Sequence, residues 1–158
     1  MALRQLRLMG DEILSKESKE IKVLNERTLE LIDDMFDTMY ESGGCGLAAV
    51  QVGVLRRLFV VDVTGDSPMV FINPVILEKK GEQTGDEGCL SVPGKMGCVV
   101  RPDYIKVKAF DIEMNEFEME AEGFLARAIC HEYDHLNGVL YVSKVDGDLK
   151  DIEGRVES

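Results

Sequence analysis

Both histidines of this chain, His131 and His135, stand four residues apart, with Glu132 directly after the first, in the stretch Cys130-His131-Glu132-Tyr133-Asp134-His135-Leu136. On a helix, positions i and i+4 lie one above the other, so the two imidazoles project from one face. A divalent metal is the common partner that H-E-x-x-H helices hold. This constrains the fold, because such a helix has to run through the interior and further chain has to wrap round it to complete the site.

The surrounding residues support a helix. From about Gly123, apolar side chains recur at Leu125, Ala128, Ile129 and Leu136, and Gly138 supplies a C-terminal stop. At roughly 100° per residue, His131 and His135 share a flank with Phe124 and Ala128, whereas Glu132 falls inside the apolar stripe. Loss of hydration there raises a carboxyl pKa, which suits a glutamate to proton transfer near neutrality. The plainer reading is a helix whose histidines cap or pack and whose glutamate is solvated. Placing the chain's two histidines around a stripe-facing glutamate argues against it.

A catalytic site of this type needs three protein ligands and an open position. The longer H-E-x-x-H-x-x-G-x-x-H signature would require a third histidine where Tyr141 stands, and Glu153 lies in an acidic tail. Cysteine is the better candidate. Cys130 neighbours His131 and therefore points away from the histidine pair, into packing. Cys45, in Gly43-Gly44-Cys45-Gly46, and Cys89, in Glu87-Gly88-Cys89-Leu90-Ser91, both sit in glycine-containing segments. Chemistry alone leaves the choice between them open.

Three motifs in order then carry a resemblance: G-x-G-L-A-A-x-Q at Gly44 to Gln51, E-G-C-L-S at Glu87 to Ser91, and H-E-x-D-H-L at His131 to Leu136. Together they resemble the peptide deformylase family, and the likeness runs from end to end of the chain. The resemblance implies that Cys89, His131 and His135 hold the metal, that Glu132 transfers the proton, and that the Gln51 amide and the Leu90 backbone N–H face the oxyanion. It implies hydrolysis of the N-formyl group from the initiator methionine of nascent polypeptides, with formate released. It favours Fe(II), with Zn(II), Ni(II) or Co(II) as alternatives that the same donors accept. Gly46 and Gly88 would offer backbone hydrogen bonds to the substrate, and Cys45, Phe124, Arg127, Ala128 and His131 would bound the methionine pocket. Arg101 is expected to pair with Glu87. One departure is Cys130, where the family usually has glutamine.

Composition narrows the surroundings. With 18 Lys plus Arg against 30 Asp plus Glu, the net charge is −12, which argues against direct nucleic-acid binding and against an anionic membrane surface. Four cysteines with no C-x-x-C point to a reducing compartment. The N-terminus has no apolar run of signal length and no stretch reaches the length of a membrane span, so a cytoplasmic enzyme is expected. Some family members dock on the ribosome with a basic C-terminal helix. Residues 146–158 here carry five acids against two bases, so any ribosome association is expected to be transient and not driven by this tail.

The periodicities predict one α+β domain over residues 1–158, with antiparallel strands packed around the central metal-binding helix and residues 146–158 as a mobile tail. Asn25 caps a helix over 26–41 with Leu29, Ile32, Phe36 and Met39 inward. Strands are predicted over 58–63, 69–73, 75–79, 98–101, 105–110 and 117–121. Two rival readings remain open. Gly44 to Ala49 also satisfies G-x-G-x-x-A, a loose dinucleotide fingerprint, but it follows a helix where that motif needs a strand. A noncatalytic protein closed by a structural metal would need a fourth ligand, and none is visible.

Overall fold

The computed structural model describes residues 2–152. Helix α1 (Glu26–Glu41) is followed by strand β1 (Gly46–Ala48), a 3-10 turn (Ala49–Val52) and β2 (Leu58–Val61). Then come β3 (Met69–Lys80), β4 (Gln83–Cys89), β5 (Val92–Arg101), β6 (Tyr104–Phe110), β7 (Glu116–Glu122), helix α2 (Gly123–Leu136) and a short β8 (Lys150–Asp151). Five strands form one antiparallel sheet in the order β1-β2-β3-β6-β7, and the other three form a sheet in the order β4-β5-β8. An α+β arrangement around the H-E-x-x-H helix is therefore what the chain adopts.

Strand β2 shows why the large sheet sits where it does. Its residues Leu58-Phe59-Val60-Val61 are all buried, and successive side chains point to opposite faces. Leu58 and Val60 join Ile32, Met35 and Met39 of α1, whereas Phe59 and Val61 join Ala128, Ile129 and Leu136 of α2. The sheet is thus sandwiched between the two helices at this point, which is why the strand reads as an unbroken apolar run instead of an alternating one. Phe59 and Phe71 stack across β2 and β3 with centroids 4.8 Å apart.

Several elements differ from the sequence expectation. Pro74 was expected to divide two strands, but β3 runs through it, with register shifts between Ile72 and Val75 and between Ile76 and Glu78. Asn73 takes φ 51° and ties Ile21 with two hydrogen bonds, accepting from its N–H at 2.8 Å and donating to its carbonyl at 2.7 Å. In α1, Asn25 accepts from the Thr28 N–H as expected, but Leu29 is 40% exposed and the inward face is Leu31, Ile32, Met35 and Met39. No strand is predicted between residues 79 and 98, yet Gln83–Cys89 forms β4 and β5 begins at Val92. The stretch expected as a mobile tail lies against β5 through Ile152, and residues 153–158 lie outside the described residues.

Helix α2 begins and ends where its sequence places it. Gly138 has φ 75°, and a Cβ there would come within 2.5 Å of the Ser15 carbonyl, so the chain can leave the helix closely only as glycine. The Leu136 carbonyl accepts from the Ser18 N–H at 2.8 Å and from Arg57 Nη1 at 3.0 Å, which satisfies the helix end.

Candidate metal centre

Three chain segments converge on one wall of a cavity of about 730 Å³. Helix α2 brings His131, Glu132 and His135; the tight β4–β5 hairpin, closed by Leu90 and Ser91, brings Cys89; and β1 with its following turn brings Gly46 and Gln51. Nitrogens of His131 and His135 and the sulfur of Cys89 all lie within 4.8 Å of one another, the one such cluster able to hold a metal among the described residues. The distance from His135 Nε2 to Cys89 Sγ is 3.4 Å. His135 is fully buried behind the cavity wall, whereas His131 and Cys89 line it.

His131 is oriented by Glu87, whose Oε1 lies 2.8 Å from His131 Nδ1. That contact assigns the Nδ1 proton to the bond with the carboxylate and leaves the Nε2 lone pair for a cation. Glu87 also accepts from Arg101 Nε and Nη2 at 2.8 and 2.9 Å and from Arg127 Nη1 at 2.7 Å. Arg101 in turn reaches Asp134 at 2.6 Å. Burial alone would raise the Glu87 pKa, but the hydrogen bonds from Arg101 and His131 outweigh it and hold the carboxyl down at about 2. For His131, burial favours the neutral ring, but bonds with Cys89 and Glu87 and the Glu132 charge prevail and raise its pKa to about 10. The pKa of His135 falls well below normal, through burial first and then the charges of His131 and Arg101.

Glu132 has the opposite surroundings. It sits among Ala128, Ile129 and Leu136, as the helical wheel requires, and its Oε1 is buried with no hydrogen-bond partner among the described residues. Burial raises its pKa to about 7, the Glu87 charge adding to the rise while the His131 charge opposes it. A Cβ on Gly46 would stand 2.5 Å from Glu132 Oε2, so glycine at 46 is what lets this carboxylate lie against β1. Gln51 is also buried: its Oε1 accepts from the Ala48 N–H at 3.0 Å, and its Nε2 donates to Ser91 Oγ at 3.0 Å and lies 3.5 Å from Cys89 Sγ. The second N–H of the amide is therefore on the side of the cysteine.

A thiolate and two imidazoles suit a borderline divalent metal. The unpartnered carboxylate oxygen beside them fits a site whose missing hydrogen bond comes from a non-protein group. The residues present match a metal of this kind.

The cavity brings together every other residue anticipated for substrate contact: Cys45, Gly46, Gly88, Leu90, Phe124, Arg127 and Ala128. Phe124 is 57% exposed at its mouth. The Arg127 guanidinium, however, is turned to Glu87 and to the carbonyls of Gly85 and Val99, so its charge holds the hairpin onto α2. Cys45 has its thiol pKa pushed up to about 11 by burial and by the Glu132 charge. Cys130 is buried in the main core and takes no part in the cluster. Sequence reasoning missed that Arg127, His131 and Asp134 of α2 all meet the Glu87–Arg101 pair. Their i, i+4, i+7 spacing on α2 was the available signal. It also gave no role to Ser91, the last residue of the E-G-C-L-S motif, and missed Leu6 and Ile152, for which no pattern stood out.

The comparisons with known proteins agree with this geometry. The sequence model described as polypeptide deformylase matches residues 3–151. A peptide deformylase of Lachnoclostridium phytofermentans is 59% identical, covering 96% of this chain and 94% of its own. The crystal structure of a peptide deformylase from Legionella pneumophila superposes with a TM-score of 0.90 at 45% identity, covering 92% of this chain and 87% of that one. One from Synechococcus elongatus, in complex with actinonin, gives 0.88 at 39% identity over 91% and 79% of the two chains. Matching in sequence across nearly its whole length and in fold, the chain belongs to the polypeptide deformylase family, enzymes that remove the formyl group from the N-terminus of newly synthesised polypeptides.

Proposed function

We propose that residues 1–158 act as one catalytic unit in which Cys89, His131 and His135 hold a single divalent metal and Glu132 moves the proton during deformylation. The observation that carries this reading is the Glu132 carboxyl, buried without a protein partner on Oε1 among the described residues, beside three convergent metal donors, two lining the cavity and His135 just behind its wall. When bound, the metal supplies Lewis acidity to the formyl carbonyl and to the attacking water. Glu132 takes a proton as the water oxygen bonds to the formyl carbon, and a pKa near 7 lets it give that proton back near neutrality. The Gln51 Nε2–H and the Leu90 backbone N–H donate to the oxyanion as it develops. The C–N bond then breaks and Glu132 delivers the proton to the departing amine. Formate and a free N-terminal methionine result.

The methionine side chain enters between Cys45, Phe124, Ala128 and the aliphatic part of Arg127, while Gly46 and Gly88 receive the peptide backbone. Fe(II) is the favoured metal, and Zn(II), Ni(II) and Co(II) suit the same donors. The substrate emerges on ribosomes, which places the work in the cytoplasm. Four free cysteines and the lack, among the described residues, of any helix long and apolar enough to cross a membrane accord with that. Contact with the ribosome is transient, and the acidic residues of 146–158 give it no basic tail for RNA.

Formate release from formyl-Met-Ala-Ser under anaerobic conditions, with elemental analysis of the same sample, tests the reading. Cys89→Ala should lose most of the metal and the activity, whereas Cys45→Ala, Cys98→Ala and Cys130→Ala should keep the metal. Full metal occupancy in Cys89→Ala overturns the ligand set.

A further inference from the structure

The cavity is larger than a formyl-methionyl group needs, at about 730 Å³, a size that accommodates several residues of a peptide. Part of its wall comes from the end of the chain. Strand β8 pairs with β5 through Lys95 with Asp151 and Met96 with Lys150, and the Ile152 N–H donates to the Gly94 carbonyl at 3.1 Å. Two ion pairs accompany the ladder: Lys150 Nζ lies 3.3 Å from Asp86, and Lys95 bonds to Asp151. Asp86, Gly94 and Lys95 are themselves cavity residues, so the chain end grips both strands of the hairpin that carries Cys89.

Exposed ion pairs of this kind contribute little individually. Backbone pairing and close packing decide the placement instead. A Cβ on Gly97 would stand 2.6 Å from Val145 Cγ2 and 3.2 Å from Leu149 Cδ2, so glycine at 97 lets the preceding segment lie directly on β5. Asp146 adds a hydrogen bond from its N–H to the Cys98 carbonyl at 2.8 Å. The result is a half-buried Ile152 side chain on a wall that also includes Leu6, Leu90 and Pro93.

We propose that Ile152 is a specificity-determining residue, an apolar wall that favours peptides with apolar side chains at positions two and three, the two residues that follow the formylated methionine. This rests on the deformylation reading above. An apolar side chain leaves water against Ile152, whereas a small polar one gains nothing there. The contact is remote from the scissile bond and holds substrate and transition state alike, so its loss appears in KM and not in kcat.

The test compares kcat/KM for formyl-Met-Leu-Leu and formyl-Met-Ser-Ser on the metal-loaded enzyme, wild type and Ile152→Ser. The ratio of the two should fall about five-fold in Ile152→Ser, through KM for the leucine peptide, less than an enclosed pocket gives because this wall is open on one side. Ile152→Leu should restore it. An unchanged ratio in Ile152→Ser overturns the proposal while leaving deformylation standing. No formate from either peptide with the wild type overturns the deformylation reading and this inference with it.

Discussion

Two buried glutamates, Glu87 on β4 and Glu132 on α2, behave in opposite ways beside His131. Glu87 and Glu132 are 6% and 5% exposed, so burial alone does not distinguish them. Glu87 receives two arginines and an imidazole and stays ionised down to about pH 2. Glu132 has apolar neighbours and an unpartnered oxygen, and its pKa rises to about 7. The lesson is that partners, not depth, decide whether a buried carboxyl is a fixed charge or a proton carrier. Glu87 is suited to fix the His131 imidazole in place because it cannot easily be neutralised. Glu132 is suited to transfer because it can.

Glu132→Gln breaks the comparison most severely. The amide keeps the shape but can neither accept the water's proton nor return it to the amine, so turnover should fall by several orders of magnitude, about 10³-fold or more. Metal content and circular dichroism should match the wild type. Near wild-type formate release from metal-loaded Glu132→Gln would end the proton-carrier assignment, and loss of metal with the fold intact would recast Glu132 as a ligand.

A smaller effect should come from Gly46→Ala, which crowds that carboxylate directly. The added Cβ would collide with Glu132 Oε2, 2.5 Å away, and the glycine does not have a positive φ, so backbone strain is not the cause. Displacing a catalytic group by about 1 Å lowers the rate about 10²-fold. Measured kcat should drop while metal content holds. Unaltered kcat in Gly46→Ala would show that the Glu132 position is not critical.

The Glu132 half of this contrast was legible in the sequence, and the Glu87 half was only partly so. A 3.6-residue wheel puts Glu132 on the face of Ala128, Ile129 and Leu136, and all four are buried on the helix that forms. The pairing of Glu87 with Arg101 was anticipated, but its bonds to Arg127 and His131 were not. They depend on β4, whose residues Gln83-Thr84-Gly85-Asp86-Glu87-Gly88-Cys89 include two glycines and two acids, a composition that local propensity does not favour as a strand. Its strand character comes from pairing with β5, a long-range fact that no window of β4 alone contains. The bonds of the Arg127 guanidinium were hidden for the same reason. From the helix Arg127 reads as a pocket residue, and only the docked hairpin supplies the carboxylate and carbonyls that its guanidinium meets. Ile152 was hidden likewise, since an acidic chain end gives no local sign that a neighbouring strand will take it up.

The gentlest test of the contrast is the pH dependence of stability, where the two glutamates should pull in opposite directions. Glu87 has a folded pKa lowered from 4.5 to about 2, so its stabilisation is present above the unfolded value and is lost as pH falls from about 4.5 toward 2. Glu132 has a folded pKa raised from 4.5 to about 7, so the fold binds its proton more tightly than the unfolded chain does. The stability it contributes is therefore full below about 4.5 and lost as pH rises toward 7. One group can impose a slope of at most about 1.4 kcal/mol per pH unit. Urea midpoints of chelator-treated protein, taken at intervals from pH 3 to 8, should decline on the alkaline side of 4.5 in the wild type. In Glu132→Gln that decline should flatten while the acid-side loss persists, because Glu87 is untouched. An identical alkaline decline in Glu132→Gln would mean that Glu132 is already ionised at low pH in the folded protein, and the difference between the two carboxyls would then have to arise from the bound metal and not from the protein's own hydrogen bonds.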